Sequence, residues 1–184
     1  MTKLPRTLRL DPSDTFVFRN PAEPGEWAVT GSFLFLDADP SAMDAKARAA
    51  FRAGFLGVGS FGFSTLAVVT EATPEEREAA VAALAENFVT RLGAPDLPAA
   101  RAAAEEEIAF AESLCGHPAN TVLALRRSLE DGEVREEYRT LQPRERGAAG
   151  ADRLHAGARA FEFVESDDVA EERVDFAALM EGKP

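Results

Sequence analysis

The residues of this chain best suited to chemistry lie in a glycine-rich segment. Gly57-Val58-Gly59-Ser60-Phe61-Gly62 matches the pattern G-x-G-x-x-G. In dinucleotide-binding proteins that pattern follows a strand and opens a helix, so that phosphate meets a helix N-terminus. The predicted order here is a helix before and a strand after, which argues against a dinucleotide site. Two interpretations remain: a tight turn, for which glycine is the usual residue, or a nest of backbone N–H groups that binds an anion. The candidate ligand-binding residues of this segment are Gly57, Gly59, Ser60 and Ser64.

An arginine in a predicted hairpin is the second candidate. Thr121–Leu129 and Glu133–Leu141 flank Asp131-Gly132, a strong signal for a two-residue turn. Folding at that turn pairs Arg127 with Glu136, and opposite charges facing each other support the register. Because Arg127 then shares a face with leucines, we expect it to be partly buried. It either forms a structural ion pair with Glu136 or binds an anionic ligand.

The remaining reactive side chains favour structural roles. Cys115 continues the apolar stripe of a predicted helix at its C-terminus, where a thiolate is not stabilised, and we expect it in the core. The run Glu105–Glu107 is interpreted as a solvated acidic helix face. One cysteine and two histidines give no set of metal ligands. The sequence therefore predicts no metal site, no cofactor and no catalytic residues, and favours a non-enzymatic protein.

The hydrophobic pattern predicts the elements that must position these residues. Thr73 and Glu76 form a capping box for a helix that ends at Gly93, and Asp96 caps the next helix. The short link between them implies an antiparallel helical pair. The predicted helices are Ser41–Phe55, Thr73–Leu92 and Asp96 to about Cys115; the predicted strands are Thr15–Arg19, Glu26–Asp37, Phe63–Glu71, the two hairpin strands and a short one at Phe161–Val164.

These elements indicate an α+β fold. We expect a mostly antiparallel sheet of five or six strands with three helices, two of them as the antiparallel pair. Residues 1–142 form the predicted single domain, and residues 143–184 form a linker and an acidic C-terminal segment. Phe176, Leu179 and Met180 have the i, i+3, i+4 spacing of an amphipathic helix. That segment either packs back on the domain or docks in a groove of a protein partner.

The net charge of −12 is unevenly distributed along the 184 residues. Residues 1–60 sum to zero, residues 61–120 carry −7, residues 121–160 carry +1 and residues 161–184 carry −6. Such acidity argues against nucleic acid or an anionic membrane as a partner, since both require clustered Lys and Arg. The N-terminus has no stretch typical of a signal peptide, which predicts a cytoplasmic protein. A protein partner would contact the acidic helical face or the C-terminal segment, and the sequence leaves the oligomeric state undetermined.

Several blocks of the sequence resemble a known family. They are residues 8–15, 24–29, 55–66 and 128–132. Together they resemble a family of small, uncharacterised alphaproteobacterial proteins, over about residues 4–142. The resemblance implies a bacterial, cytoplasmic protein that is an accessory to a larger enzyme system. It supplies no catalytic residues.

Two functions are therefore expected. The first is a non-enzymatic accessory or protein-binding module of a bacterial cytoplasmic enzyme system. The alternative is a binder of small anionic molecules, or an enzyme, that uses the glycine-rich segment with an arginine such as Arg127.

Overall fold

The computed structural model of the chain describes residues 1–143 and 163–165. Within this part the protein is α+β, with two antiparallel sheets. The strands of the larger sheet are, in spatial order, β1 (Thr2–Leu8), β5 (Leu66–Ala72), β6 (Val122–Glu130), β7 (Glu133–Pro143) and β8 (Phe163–Glu165). The smaller sheet has β2 (Ala28–Val29), β3 (Phe55–Gly57) and β4 (Phe63–Ser64). The helices are α1 (Ser13–Val17), α2 (Ala45–Ala53), α3 (Pro74–Leu92) and α4 (Leu97–Ser113), with a 3₁₀ turn at Ser32–Phe35.

The predicted helical pair is confirmed. The Thr73 hydroxyl accepts from Glu76 N at 3.2 Å, and the Glu76 carboxylate accepts from Thr73 N at 2.9 Å, so the capping box is complete. Gly93 ends α3 at a φ of 69°, a conformation that glycine adopts without steric cost. The Asp96 side chain caps α4 by accepting from Ala99 N at 2.8 Å. The short link then brings α4 back beside α3.

The predicted hairpin is also confirmed, with every paired residue in the expected register. Asp131 and Gly132 both take positive φ, at 53° and 83°, as the two-residue turn requires. The pairs are Leu129–Val134, Arg127–Glu136, Leu125–Tyr138, Leu123–Thr140, Arg126–Glu137 and Ala124–Arg139. Because side chains alternate along a strand, this register decides which arginine enters the core.

Two predicted strands are wrong. Thr15–Arg19 overlaps helix α1, whose buried Asp14 carboxylate accepts from the Thr65 hydroxyl at 2.6 Å and so holds the turn against the sheets. Glu26–Asp37 is a strand only at Ala28–Val29. Gly31 interrupts it at a φ of 77°, and a Cβ atom there would lie 2.8 Å from Leu56 Cβ. The chain turns at Gly31 because it crosses Leu56 too closely for a side chain.

The expected single sheet with three helices is, in the described part, two sheets with four helices, and the strand predicted at Phe63–Glu71 divides between them into β4 and β5. A helix boundary and one strand also differ from the prediction. The second helix begins after Asp44, which accepts from Ala47 N at 2.8 Å, whereas Ser41 belongs to a separate turn with Asp39. Strand β1 was not predicted, because Lys3, Pro5 and Arg6 interrupt the hydrophobic pattern that is typical of a strand. Proline is tolerated there because β1 is the edge strand of the larger sheet, paired along its length with β5 and bridged on its other side at Arg6–Trp27.

The core joins the helical pair to the sheets. One cluster combines α3 and α4 with β1 and the smaller sheet; its members include Val81, Leu84, Ile108, Leu4, Val29 and Leu56. A second lies between the end of α4 and the larger sheet; its members include Cys115, Val69, Leu123, Leu125 and Tyr138. In the described part of the chain, no helix is both long enough and apolar enough to cross a membrane.

Candidate functional site

The glycine-rich segment forms the turn of a hairpin between β3 and β4. Gly57 N donates to Gly62 O at 2.8 Å and closes the turn. Strand β3 separates this turn from α2, so the segment joins two strands and no helix follows it. The segment therefore lacks the strand–turn–helix order of a dinucleotide site. The glycines serve close packing, since a Cβ on Gly62 would lie 2.6 Å from Pro21 O.

The predicted nest of N–H groups is present and holds a carboxylate of the chain itself. Gly59 N and Ser60 N donate to Glu26 Oε2 at 2.8 and 2.7 Å. The Ser60 hydroxyl donates to Glu26 Oε1. A Cβ on Gly57 would lie 2.1 Å from the same oxygen, so a glycine is needed there. The turn thus has the chemistry of an anion site, and Glu26 occupies it.

Removing this internal anion tests its structural role. We expect Glu26→Ala to lower the free energy of unfolding by about 1–2 kcal/mol, because it leaves the backbone N–H groups of Glu23, Gly59 and Ser60 and the Ser60 hydroxyl without their acceptor. Glu23→Ala is the matched control, since Glu23 is exposed and lies three residues away. Denaturant unfolding of both variants measures the difference. Equal stabilities for the two variants would contradict the role given to Glu26.

Arg127 is buried, with 2% of its surface exposed. Its guanidinium and the groups that it bonds are called the Arg127 clamp. Its Nε donates to Glu136 Oε1 at 2.6 Å and lies 3.2 Å from Ser32 Oγ. The two terminal nitrogens donate to four backbone carbonyls: Thr30 O, Ala50 O, Phe51 O and Gly54 O. Three of these carbonyls lie at the C-terminal end of α2, where the helix leaves carbonyls without intrahelical donors. Arg127 therefore caps α2 from the neighbouring hairpin.

Internal groups use the full donor capacity of this arginine. A guanidinium has five N–H donors, and each of the five has an acceptor within the protein. The structural ion pair with Glu136 thus accounts for Arg127 in this conformation. Ser64 is likewise buried, and its hydroxyl donates to Leu66 O at 2.8 Å. The structure does not bring Ser60, Ser64 and Arg127 together around one opening.

A second carboxyl approaches the clamp from helix α4. Glu136 also accepts a hydrogen bond from the Tyr138 hydroxyl, and burial together with the charge of Glu136 raises the pKa of that phenol. Burial and the charges of Glu136 and Glu106 raise the pKa of Glu107 to about 7. Glu107 therefore exchanges a proton near neutral pH, beside a buried carboxylate that is already paired.

Glu107 was missed as a site residue. It was interpreted as part of a solvated acidic face, yet it lies three residues after Ala104 and four before Ala111. Both alanines are fully buried, so the helical period places Glu107 at the border of the buried stripe. That spacing is the signal that distinguishes Glu107 from Glu106.

An open cleft lies beside Arg127. It has a volume of about 640 Å³ and is lined by Asp39, Pro40, Ser41, Phe51, Arg52 and residues 126–129 of β6. None of the four candidate residues of the glycine-rich segment lines it. Of the ligand-binding candidates, Arg127 lines the cleft, and the sequence did not indicate its other lining residues.

The remaining candidate residues are Cys115, the acidic and histidine side chains, and three residues of the C-terminal segment. Cys115 is buried, as predicted, and burial raises the pKa of its thiol to about 12, so it remains a protonated core residue. Within the described residues, no three His, Cys, Asp or Glu side chains come together in a way that could hold a metal ion. Phe176, Leu179 and Met180 lie outside the described residues, and their role in partner binding stays a prediction.

A family model described as a family of unknown function, DUF6505, matches residues 1–156. The resemblance to a family of uncharacterised proteins is thereby confirmed, and it reaches further along the chain than expected. No curated protein and no solved structure matches the chain.

Proposed function

This chain belongs to the DUF6505 family, whose function is unknown, and we propose that it is a non-enzymatic accessory protein that binds another protein. In this proposal it serves a cytoplasmic enzyme system of a bacterium, and an alphaproteobacterial source fits the same resemblance. The observation that carries the proposal is an exposed apolar surface on α1 and the residues just before it.

The α1 surface consists of Leu10, Phe16 and Val17. Phe16 is 74% exposed, and the other two are more than one-third exposed. The segment is nevertheless firmly held, since the buried Asp14 carboxylate accepts from Thr65 N at 3.2 Å as well as from the Thr65 hydroxyl. Single exposed apolar residues are ordinary, but these three lie within eight residues, and one of them is a largely exposed aromatic side chain of the kind that anchors protein interfaces. A fixed aromatic side chain also loses little entropy on binding.

Phe16→Asp tests the proposal. We expect this variant to fold with nearly unchanged stability, because the position is exposed, and to bind its protein partner at least about tenfold more weakly. The assay captures partners from a bacterial lysate with the full-length chain and then measures the affinity of the purified partner. Leu97→Asp is the matched control, since Leu97 is 59% exposed at the start of α4.

Two further arms separate the surfaces that the sequence predicted. A variant ending at Gln142 removes the C-terminal segment, and Glu75→Gln with Glu86→Gln reduces the negative charge of α3, one of the two helices that carry most of the −7 of residues 61–120. A partner lost only in these arms would move the contact away from α1 while keeping the protein-binding function. The proposed function is wrong if Phe16→Asp captures the same proteins as the wild-type chain and if the truncation and the charge variants also change nothing.

The alternative, an anion binder built from Gly57, Gly59, Ser60, Ser64 and Arg127, stays a prediction. Glu26 occupies the nest, and internal acceptors occupy Arg127. An external anion would have to displace the Glu26 carboxylate from the nest or the internal acceptors from Arg127.

A further inference from the structure

We propose that the cleft between α2, the turn at residues 39–41 and strand β6 binds a small organic anion, a phosphate or carboxylate carried on an apolar body. The cleft is separate from the α1 surface, so this inference does not depend on protein binding. Its support comes from the charge of the wall, the backbone at the strand edge and the size and apolar part of the opening.

The wall of the cleft carries excess positive charge on an acidic protein. Arg52 and Arg126 both line it, and neither forms an ion pair with another residue in the described part of the chain. The Arg127 charge behind the wall is balanced by Glu136 at 2.6 Å. Two arginines that line one cleft, and that form no ion pair among the described residues, attract an anion locally even in a chain of net charge −12.

One acid, Asp39, lines the same cleft, and its hydrogen bonds point to its own turn. Its Oδ1 accepts from Ser41 N at 2.9 Å and from the Ser41 hydroxyl at 2.6 Å. These bonds hold the pKa of Asp39 below its ordinary value, so it stays charged. The wall therefore carries two positive charges against one negative charge that is already hydrogen-bonded.

The edge of β6 adds backbone donors. Strand β5 pairs with β6 only at residues 122–124, so the same edge has no strand beside it from residue 125 onward. The hairpin register directs the N–H groups of Arg127 and Leu129 away from β7, toward this open edge. Neither N–H donates to another backbone oxygen within the described residues. Backbone N–H groups beside arginine side chains are a common way to bind phosphate or carboxylate.

The rest of the lining favours an organic ligand over a bare inorganic ion. Phe51, Leu129 and Pro40 give the cleft an apolar part, and Ser128 adds a hydroxyl. A volume of about 640 Å³ falls in the range of small-molecule sites. When the anionic group of a ligand contacts the arginines, the apolar body of that ligand packs against Phe51 and Leu129.

Titration of the full-length chain with phenyl phosphate, benzoate, phenol and inorganic phosphate tests the proposal. Backbone amide NMR shifts report the site, and we expect saturable shifts at Arg127 and Leu129 with one or both of the aromatic anions. Whichever of these binds more tightly identifies the anionic group. Phenol and inorganic phosphate should bind at least about tenfold more weakly, since phenol lacks the anionic group and inorganic phosphate lacks the apolar body.

Matched double variants assign the binding to the cleft. Arg52→Gln with Arg126→Gln should weaken binding of the aromatic anion by about tenfold or more. Arg91→Gln with Arg101→Gln changes the net charge equally, on the helical pair, and should leave binding unchanged. The proposal is overturned if neither aromatic anion gives saturable shifts, if inorganic phosphate binds as tightly, or if both double variants lose affinity equally.

Discussion

Replacing Arg127 by methionine is expected to lower the free energy of unfolding by about 3–5 kcal/mol. The variant leaves the Glu136 carboxylate buried without its cation. It also removes the donors to Thr30 O, Phe51 O and Gly54 O, and one of the two donors to Ala50 O, which keeps its bond from Gly54 N. The hydrophobic part of methionine fills most of the volume, so the loss is one of polar partners and not of packing.

Urea unfolding of wild type and variant measures this change. Arg126→Met is the matched control, because Arg126 lies next in the same strand, is exposed and forms no ion pair among the described residues. We expect the control to stay within about 0.5 kcal/mol of wild type. Adding Glu136→Leu to Arg127→Met should recover part of the loss, since no charge then remains buried. A variant Arg127→Met as stable as Arg126→Met would show that the clamp contributes nothing.

Replacing Glu107 by glutamine is expected to stabilise the protein at alkaline pH and to have almost no effect at pH 4. The folded state raises the pKa of Glu107 from 4.5 to about 7, so it holds this proton more tightly than the unfolded chain does. The resulting stability is complete below pH 4.5 and is lost as the pH rises through 7. Glutamine stays neutral, so the variant avoids that loss, which amounts to about 2–3 kcal/mol above pH 8.

The measurement is the difference in free energy of unfolding between wild type and Glu107→Gln from pH 4 to pH 9. Other carboxyls with shifted pKa values, such as Glu112, titrate in both proteins and cancel in the difference. Glu86→Gln, at an exposed position on α3, provides the control and should give no pH-dependent difference. An offset for Glu107→Gln that stays constant over the whole range would rule out a raised pKa at this residue.

Local signals in the sequence were sufficient for some elements and not for others. The capping box at Thr73 and the turn at Asp131-Gly132 were predicted because a few neighbouring residues satisfy their own backbone there. The strand expected at Glu26–Asp37 failed because its end depends on Leu56, which is distant in sequence and crosses Gly31. The Thr15–Arg19 segment failed for the same kind of reason, since Asp14 bonds to Thr65.

The sequence by itself determined the α+β class, the helical pair, the hairpin register and the pairing of Arg127 with Glu136, because short-range spacing fixes each of them. Only the tertiary structure decided which hydrogen-bond donors and charged side chains of the chain remain available to a ligand. It placed Glu26 in the glycine-rich nest, directed Arg127 to the carbonyls of α2 and exposed Phe16 on a fixed turn. It also gathered Arg52 and Arg126 around one cleft. Hydrogen-bond acceptors supplied from distant parts of the chain decide which donors remain for a ligand, and no local pattern records them.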